Sequence, residues 1–287
     1  MLSLFDGISC ARVSLDRAGI EVNAYMSSEI DKNAIKVSEK NYPDIIRVGN
    51  VINLEVEGQV DLLIGGSPCT DLSIAKKDRQ GLEGNQSSLF WEYARIKKEC
   101  NPKWFVLENV ASMPKKDRDI ITKEMGVEPV LFNASLVSAQ CRKRLFWTNI
   151  PFDLPKDKGI VLKDILQSNV DEKFYINKEM KETGKTTGTL IKVGHTGNKE
   201  RQTNRIYDPE GKAPTQLKGS GVGGALPTLI QEQTRIRKLT PVECERLQGL
   251  PDNYTEGVAT TNRYRCLGNA FNVDVVAHIL TAVRSPH

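Results

Sequence analysis

The chain of 287 residues is long enough for one substantial core and a small accessory domain. Its net charge of +4 is too small to indicate a nucleic-acid partner by itself. It contains no apolar run that would span a bilayer and no signal-peptide pattern at its start. The six cysteines lack the spacing of metal ligands, which argues against a zinc site and predicts reduced thiols in a cytoplasmic protein.

The first half alternates short apolar strands with helical stretches, which predicts an α/β fold with a largely parallel sheet. Strands are predicted at residues 2–5, 23–28, 45–48, 60–64, 104–107 and 145–149. Helices are predicted from the first turn to Gly19, from near Asp31 to Pro43, and from about Ser88 to Glu99. We assign this first domain to residues 1–152.

The amino-acid composition changes after Pro151. Residues 153–235 are rich in Lys, Gly, Thr and Asn, and we interpret them as a small loop-rich domain, with a disordered insertion as the alternative. Thr240, Pro241 and Glu243 then predict a capped helix that ends at Gly249, and a last helix is predicted over 270–283. Residues 236–287 are therefore expected to return to the first domain.

A glycine turn joins the first strand to the first helix. Gly7 lets the backbone approach a ligand closely, and Glu29 follows 22 positions later, at the end of the second strand. An acidic residue at about this separation contacts a ribose hydroxyl in nucleotide-binding folds. The spacing leaves NAD, an adenosyl cofactor and a purely structural turn all open.

Two chemically reactive side chains follow buried strands. Cys69 comes after the fourth strand, near Lys76, Lys77 and Arg79, whose charges favour a nucleophilic thiolate. Glu108 follows the apolar run 105–107 and is expected to face the same crevice. A thiol and a carboxyl at adjacent strand ends are a plausible pair of nucleophile and acid. For the other five cysteines we expect inert side chains, which is the commoner fate of a free cysteine.

The segment QCRKR (140–144) precedes an apolar strand. Strand alternation is expected to send Arg142 and Arg144 to the same side, where they would brace a substrate carbonyl and Glu108 or grip a phosphate. A solvated basic stretch is the alternative.

A series of short segments, taken in order along the chain, resembles the conserved segments of the DNA cytosine-5 methyltransferase family. The matching segments are FDGIS (5–9), SSE (27–29), GNV (49–51), SPCTDLS (67–73), ENV (108–110), QCRKR (140–144), RKLTPVECERLQGLP (237–251) and LGNAFNV (267–273). SLFWE (88–92) is similar to the subgroup that includes the animal de novo enzymes, whereas YDPEGKAPT (207–215) resembles solitary bacterial or phage enzymes. The resemblance implies a Rossmann-like S-adenosylmethionine-dependent methyltransferase fold, with 153–235 as the target-recognition domain.

The resemblance also implies catalytic roles. Cys69 would attack C6 of a cytosine that is flipped out of duplex DNA, while Glu108 protonates or hydrogen-bonds N3. C5 would then take the methyl group from S-adenosylmethionine. Arg142 is expected to hold the base carbonyl, with Arg144 supporting it.

The resemblance places S-adenosylmethionine on a further set of residues. These are Phe5, Asp6, Gly7, Ile8, Ser9, Cys10, Glu29, Asn50, Val51, Pro68, Asn269, Ala270 and Phe271. The chain departs from the common family pattern at Ala11, Asn50 and Thr70, and the side-chain oxygen of Asn50 can still contact an adenine amino group.

Residues 71–84 are expected to close over DNA, with Lys76 and Lys77 on phosphates. The full set of predicted DNA contacts is Ser73, Lys76, Lys77, Arg79, Gln140, Arg201, Asn204 and Arg205, together with the glycine loop 219–224. No spacing rule converts them into a recognition sequence. We expect a monomer in a bacterial or phage-infected cell, with no metal and no membrane contact, and with or without a restriction partner.

Three rival functions remain. An RNA methyltransferase of the same family usually has a Cys-Phe-Thr motif, which this chain lacks. A DNA-binding pseudoenzyme would lack Cys69 or Glu108. A nicotinamide oxidoreductase would leave SPC, ENV and QCRKR unexplained.

Overall fold

A computed structural model describes residues 1–68, 87–217 and 227–284 of the chain. These described residues form two compact units: unit 1 takes those within 1–132, 143–154 and 275–287, and unit 2 those within 133–142 and 155–274. These units divide the chain differently from the predicted domains, because 133–142 and 236–274 group with unit 2. The functional boundaries at 152 and 235 stay predictions. In the part of the chain that the structure describes, no helix combines the length and apolar character needed to cross a membrane.

Unit 1 is built on a mixed, largely parallel seven-stranded sheet. Its strands are β1 (Leu2–Leu4), β2 (Met26–Ser28), β3 (Ile46–Gly49), β4 (Leu62–Gly66), β5 (Trp104–Val110), β6 (Val130–Asn133) and β7 (Lys143–Thr148). Their spatial order is β3-β2-β1-β4-β5-β7-β6, with β7 antiparallel to β5. The direction of strand order reverses between β1 and β4, and ligands of open α/β sheets bind at the carboxyl ends of strands at such a point.

The central strands form because their apolar runs are covered on both faces. Leu62, Leu63 and Ile64 in β4 are at most 7% exposed, as expected for a parallel strand with helices on both sides of the sheet. The prediction that β4 ends before its glycines was wrong. Gly65 and Gly66 continue the strand and pair with Leu107 and Glu108 of β5.

Helices α1 (Cys10–Ala18), α2 (Lys32–Asn41), α3 (Phe90–Cys100) and α4 (Lys115–Met125) follow β1, β2, β4 and β5. α1 ends at Gly19, whose φ of 65° is the left-handed conformation of a helix C-cap. α2 begins after Asp31, whose carboxylate accepts the backbone N–H groups of Asn33 and Ala34. Neither α4 nor β6 was predicted. The sequence of α4 is mostly charged, and only tertiary packing buries its Ile121 and Met125.

Unit 2 contains a six-stranded sheet, so its central segment is not a disordered insertion. The strands are β8 (Tyr175–Ile176), β9 (Met180–Glu182), β10 (Lys192–Thr196), β11 (Arg205–Tyr207), β12 (Leu229–Glu232) and β13 (Arg235–Lys238), in the spatial order β8-β13-β12-β11-β10-β9. Two helices follow them, α5 (Pro241–Leu247) and α6 (Thr260–Asn269). The last helix, predicted over about 270–283, is α7 (Val273–Thr281), which begins three residues later than predicted, and α6 was not predicted.

A buried ion pair lies at the start of α5. Arg237 donates to both carboxylate oxygens of Glu243 at 2.8 and 2.9 Å, and neither side chain is exposed. The same carboxylate accepts the backbone N–H of Thr240, whose hydroxyl accepts the N–H of Glu243. This confirms the capping box predicted from the sequence.

Arg237 also pairs with Glu232 at 3.0 Å, so the substitution Glu243→Gln keeps the side-chain shape but removes the fully buried one of its two carboxylate partners. We expect it to lower the free energy of unfolding by about 3 kcal/mol, the lower end of the range for a broken buried pair, measured by urea denaturation. Glu172→Gln is the matched control, because Glu172 pairs with Arg235 at 2.6 Å with both side chains mostly exposed. The control should unfold at nearly the wild-type urea concentration. Equal losses in the two variants would contradict the assignment.

Candidate functional site

The carboxylate of Glu108 and the guanidinium of Arg144 form the polar centre of unit 1. Glu108 lies in β5 and Arg144 near the start of β7, where it pairs with Val110. Arg144 Nε lies 2.6 Å from Glu108 Oε1, and each side chain is 14% exposed. A charge-assisted contact this short fixes the position of the carboxylate while leaving part of it accessible.

Gly66 provides the room that this carboxylate occupies. A Cβ atom at Gly66 would lie 3.0 Å from Glu108 Oε2, so the Glu108 side chain lies directly against the Gly66 backbone. At Gly65 the space that a side chain would take is filled by the ring of Tyr93, which lies 2.9 Å from the position of a Cβ atom. Burial raises the pKa of the Tyr93 hydroxyl well above its ordinary value, so Tyr93 stays a neutral packing residue.

Asn109 ties the chain just beyond β4 to β5. It is 1% exposed, and its Nδ2 donates to the carbonyl and the hydroxyl of Ser67 at 3.3 and 3.0 Å. Its Oδ1 accepts the backbone N–H of Val110. The sequence analysis gave Asn109 no role, although the ENV segment contains it. Asn109 thus fixes the backbone two residues before Cys69.

Cys69 itself lies outside the described residues, as do Ser73, Lys76, Lys77 and Arg79. Pro68 is the last described residue before them. Of the other cysteines, Cys10, Cys244 and Cys266 are buried, and Cys100 and Cys141 are half-buried. Burial raises the pKa of both Cys100 and Cys244, which disfavours their thiolate forms.

The first turn carries a second polar site. Gly7 N–H donates to Glu29 Oε2 at 2.8 Å, and the N–H groups of Ile30 and Asp31 donate to Glu29 Oε1 at the same distance. The spacing of Gly7 and Glu29 therefore corresponds to a direct hydrogen bond. Ile30 is 66% exposed, an apolar surface next to this carboxylate that the sequence analysis missed.

These residues fit an adenosyl cofactor. Glu29 is a half-buried carboxylate whose Oε2 accepts a single N–H and keeps a position for a ribose hydroxyl, and Phe5 and Ile30 offer apolar surface for a ring. Asn50 is exposed at the end of β3, with its Oδ1 accepting the Ile52 N–H, and Val51 is 4% exposed. Among residues 1–68, 87–217 and 227–284, no group of three or more His, Cys, Asp or Glu is arranged to hold a metal ion.

The family model for C-5 cytosine-specific DNA methylases matches residues 1–285 of the chain. The chain belongs to this family. It is similar to the Type II methyltransferase M.HhaI of Haemophilus parahaemolyticus, with 30% identity over 97% of this chain and 92% of that protein. It is also similar to the Type II methyltransferase M1.ScrFI of Lactococcus lactis subsp. cremoris, with 28% identity over 96% of this chain and 75% of that one. The solved structure of the methyltransferase EhMeth of Entamoeba histolytica shares the fold, with a TM-score of 0.71, 16% identity, and coverage of 98% of this chain and 96% of that one.

In this methylase, Arg142 and Arg144 have different partners. Arg142 is 3% exposed, and its guanidinium donates to the carbonyls of Gln216, Gly268 and Ala270 at 3.3, 3.1 and 2.7 Å, all within unit 2. The expectation that strand alternation sends both arginines to one side assumed that both lie in the same strand, and this was wrong. β7 begins at Lys143, so Arg142 precedes the strand and the alternation of side chains along β7 does not apply to it.

Lys212 holds the segment that contains Arg142, a role that the sequence analysis missed. Its side chain is 6% exposed, and Nζ contacts the carbonyls of Ser135 and Ser138 and the carboxylate of Asp157. Ala213 continues the contact by exchanging backbone hydrogen bonds with residues 139 and 141. Lys212 of YDPEGKAPT therefore holds residues 135–138 and Asp157 together within unit 2.

Other predicted site residues lie in unit 2, and two of them have side-chain partners there. Asn204 donates to the carbonyls of Thr196 and Lys199, and Arg205 pairs with Glu200 at 2.7 Å. Gln140 is fully buried, and Arg201 is exposed. In the 269–271 segment, Asn269 is exposed, Ala270 is buried and Phe271 is half-buried. The predicted DNA and cofactor contacts of these residues stay predictions.

The substitution Gly66→Ala places a Cβ against the end of the flexible Glu108 side chain. We expect stability close to wild type but methyl transfer slowed about tenfold, because the new Cβ shifts the predicted catalytic carboxylate of Glu108, and a misplacement of about 1 Å costs about 100-fold. Gly65→Ala is the matched control, since its Cβ meets the Tyr93 ring and the Leu4 carbonyl instead. It should lower the free energy of unfolding by about 1–3 kcal/mol. Steady-state kinetics measure the activity of both variants, and urea denaturation measures their stability. Full activity in Gly66→Ala would contradict the assignment of Glu108 to the site.

Proposed function

We propose that this methylase transfers a methyl group from S-adenosylmethionine to C5 of a cytosine flipped out of duplex DNA, through a covalent bond between Cys69 and C6. The observation that carries the proposal is the Glu108–Arg144 pair of 2.6 Å, which lies against the last residue of the strand that leads to Cys69. Family membership supplies the reaction class.

C5 of cytosine is too weak a nucleophile in the intact aromatic ring to attack a methyl group. The enzyme therefore needs a nucleophile of its own that adds to C6 and activates C5. In this proposal the Cys69 thiolate forms a bond to C6, and the π electrons of the C5–C6 bond become available at C5. Glu108 shares a proton with N3, so negative charge does not build up on the ring. S-adenosylmethionine, when bound, would supply the electrophilic methyl group to C5 and leave as the thioether S-adenosylhomocysteine. A base, such as a water molecule, would then take the C5 proton while the C6–S bond breaks, which restores the double bond and frees the Cys69 thiolate.

The two arginines divide their work differently from the expectation. Arg144 contacts Glu108, so we assign it to the ring carbonyl next to N3 and to the orientation of the carboxyl group. Arg142 is bound to three backbone carbonyls, so we assign it to holding the segment that precedes β7. This reverses the roles expected from the resemblance, in which Arg142 held the base and Arg144 supported it.

We assign cofactor binding to the surroundings of the β1 and β2 ends, with Glu29 on the ribose and Phe5, Ile30, Asn50 and Val51 near the adenine. Gly7, Pro68 and the segment 269–271 complete the proposed set. Ile8, Ser9 and Cys10 are at most 2% exposed, which suits a supporting role better than direct contact.

Duplex DNA is the proposed partner, because C5 of a stacked cytosine is out of reach and the base must leave the helix. Lys76, Lys77 and Arg79 are proposed to contact phosphates, and Ser73, Gln140, Arg201, Asn204 and Arg205 stay candidate contacts. A monomer in the cytoplasm is proposed on the grounds given by the sequence alone.

Bisulfite sequencing of plasmid DNA from cells that express the protein tests the proposal. Wild type should protect cytosines in one recurring short motif, because a methylated C5 blocks conversion. Cys69→Ala should protect none, and Glu108→Gln should protect far fewer. Cys100→Ala is the matched control, since Cys100 lies in α3 with a raised pKa, and it should behave as wild type.

Full conversion by wild type, in a protein that binds S-adenosylmethionine, would contradict methylation of DNA. Methyl transfer to tRNA instead of duplex DNA in a parallel assay would then favour the RNA methyltransferase. Protection that persists in Cys69→Ala would reject the covalent route.

A further inference from the structure

We propose that Asp6 is a positioning residue for the cofactor, which sets the first turn from within and does not itself contact the ligand. The inference rests on the proposed function and concerns the same cofactor site. Asp6 is 5% exposed and lies between Phe5 and Gly7 at the end of β1. The sequence analysis expected it to contact the cofactor directly.

Both oxygens of the Asp6 carboxylate are fully used inside unit 1. The Oδ1 atom accepts the hydroxyls of Ser3 and Tyr25, each at 2.6 Å. The Oδ2 atom accepts the hydroxyls of Ser9 and Ser27 at 2.6 and 2.8 Å. All four donors are at most 2% exposed. Four hydroxyl hydrogen bonds occupy all the acceptor positions of this buried carboxylate and leave none for a ligand.

The four donors come from different parts of the chain. Ser3 is in β1, Ser9 in the turn, Ser27 in β2, and Tyr25 directly precedes β2. Arg47 of β3 reaches the same cluster through the hydroxyls of Ser27 and Ser38 at 3.2 and 2.7 Å. Ser38 in turn contacts the Ser9 hydroxyl. Asp6 therefore joins β1, β2 and the turn. Arg47 supplies a positive charge that is connected to Asp6 through two successive hydrogen bonds, by way of the Ser27 hydroxyl.

The turn needs this support because its backbone is strained. Phe5 and Ser9 have φ values of 55° and 61°, a left-handed conformation that side chains other than glycine rarely adopt. Gly7 between them has φ of 59° at no such cost. Asp6 N–H donates to the Ser28 carbonyl, and the Asp6 carbonyl accepts the Ser9 N–H, both at 3.1 Å. Strained residues persist where surrounding contacts hold them, and they mark functional sites.

The strained turn has one visible consequence at the proposed cofactor site. It aims the Gly7 N–H at Glu29 Oε2, 2.8 Å away, and so fixes the carboxylate that we assign to the ribose. If Asp6 loses its hydrogen bonds, the Ser9 and Phe5 conformations relax and this contact is lost. Cofactor binding is then weakened, while Glu108 and Arg144 keep their geometry because they lie on β5 and β7.

The substitution Asp6→Asn tests the proposal, since the amide keeps the shape but presents an NH₂ group to two hydroxyl donors. We expect the Kd for S-adenosylmethionine, measured by calorimetry, to rise about tenfold. KM for S-adenosylmethionine should rise with it, whereas kcat at saturating cofactor and KM for DNA should stay within about threefold.

Asp16→Asn is the matched control, because Asp16 also accepts a hydroxyl, that of Tyr42 at 2.6 Å, but is partly exposed on α1. It should leave Kd unchanged. Tyr25→Phe and Ser27→Ala each remove one donor and should raise Kd by smaller steps. These two variants test the same prediction if Asp6→Asn does not fold.

Amide hydrogen exchange of the ligand-free protein provides a readout that does not depend on the cofactor. The Gly7 amide should exchange faster in Asp6→Asn than in wild type, and at the wild-type rate in Asp16→Asn. Unchanged Gly7 exchange, or a loss of kcat with an unchanged Kd, would overturn the positioning role. Failure of wild type to bind S-adenosylmethionine would instead contradict the proposed function.

Discussion

The contact of the Glu108 carboxylate with the Gly66 backbone is the constraint on which the site depends. Parallel pairing of β4 with β5 sets Gly66 opposite Glu108, and antiparallel pairing of β5 with β7 brings Arg144 within 2.6 Å of the same carboxylate. A side chain at position 66 would meet the carboxylate at 3.0 Å. A glycine, a carboxylate and a guanidinium on three neighbouring strands are thus parts of one arrangement.

Three carboxylates near strand ends show how surroundings decide the role of one functional group. Asp6, after β1, is buried under four hydroxyls and shapes the turn. Glu29, after β2, is half-buried, accepts three backbone N–H groups and retains one acceptor position, on Oε2, for the proposed ligand. Glu108, in β5, is paired with an arginine and is 14% exposed. Burial and hydrogen-bond partners, rather than residue type, distinguish the supporting, binding and catalytic roles that we propose for these three residues.

Local patterns predicted the features that depend on local physics. The apolar runs around Leu63 and Leu107 indicated buried strands, and Thr240 with Glu243 indicated the capped start of α5. The fold class was confirmed, since the largely parallel sheet and a TM-score of 0.71 agree with it. The resemblance found the family because its motifs occur in order along most of the chain.

Features that depend on distant contacts were missed or misplaced. α4 is held by the packing of Ile121 and Met125, which its charged sequence does not reveal. The different partners of Arg142 and Arg144 follow from the exact start of β7, a boundary that periodicity does not fix. The roles of Asp6, Asn109 and Lys212 come from hydrogen bonds to residues remote in sequence, for which no motif spacing exists.

A covalent trap tests most directly whether the Glu108–Arg144 pair serves attack by Cys69. The substrate is a duplex in which 5-fluorocytosine replaces the cytosine at the methylated position, because fluorine cannot leave C5 as a proton does. With S-adenosylmethionine present, denaturing mass spectrometry should show a complex with the mass of protein plus methylated DNA. Peptide mapping should place the DNA on Cys69, and Glu108→Gln should slow its formation. Methylation of normal DNA without any covalent complex on the fluorinated duplex, or a complex on another residue, would contradict the account.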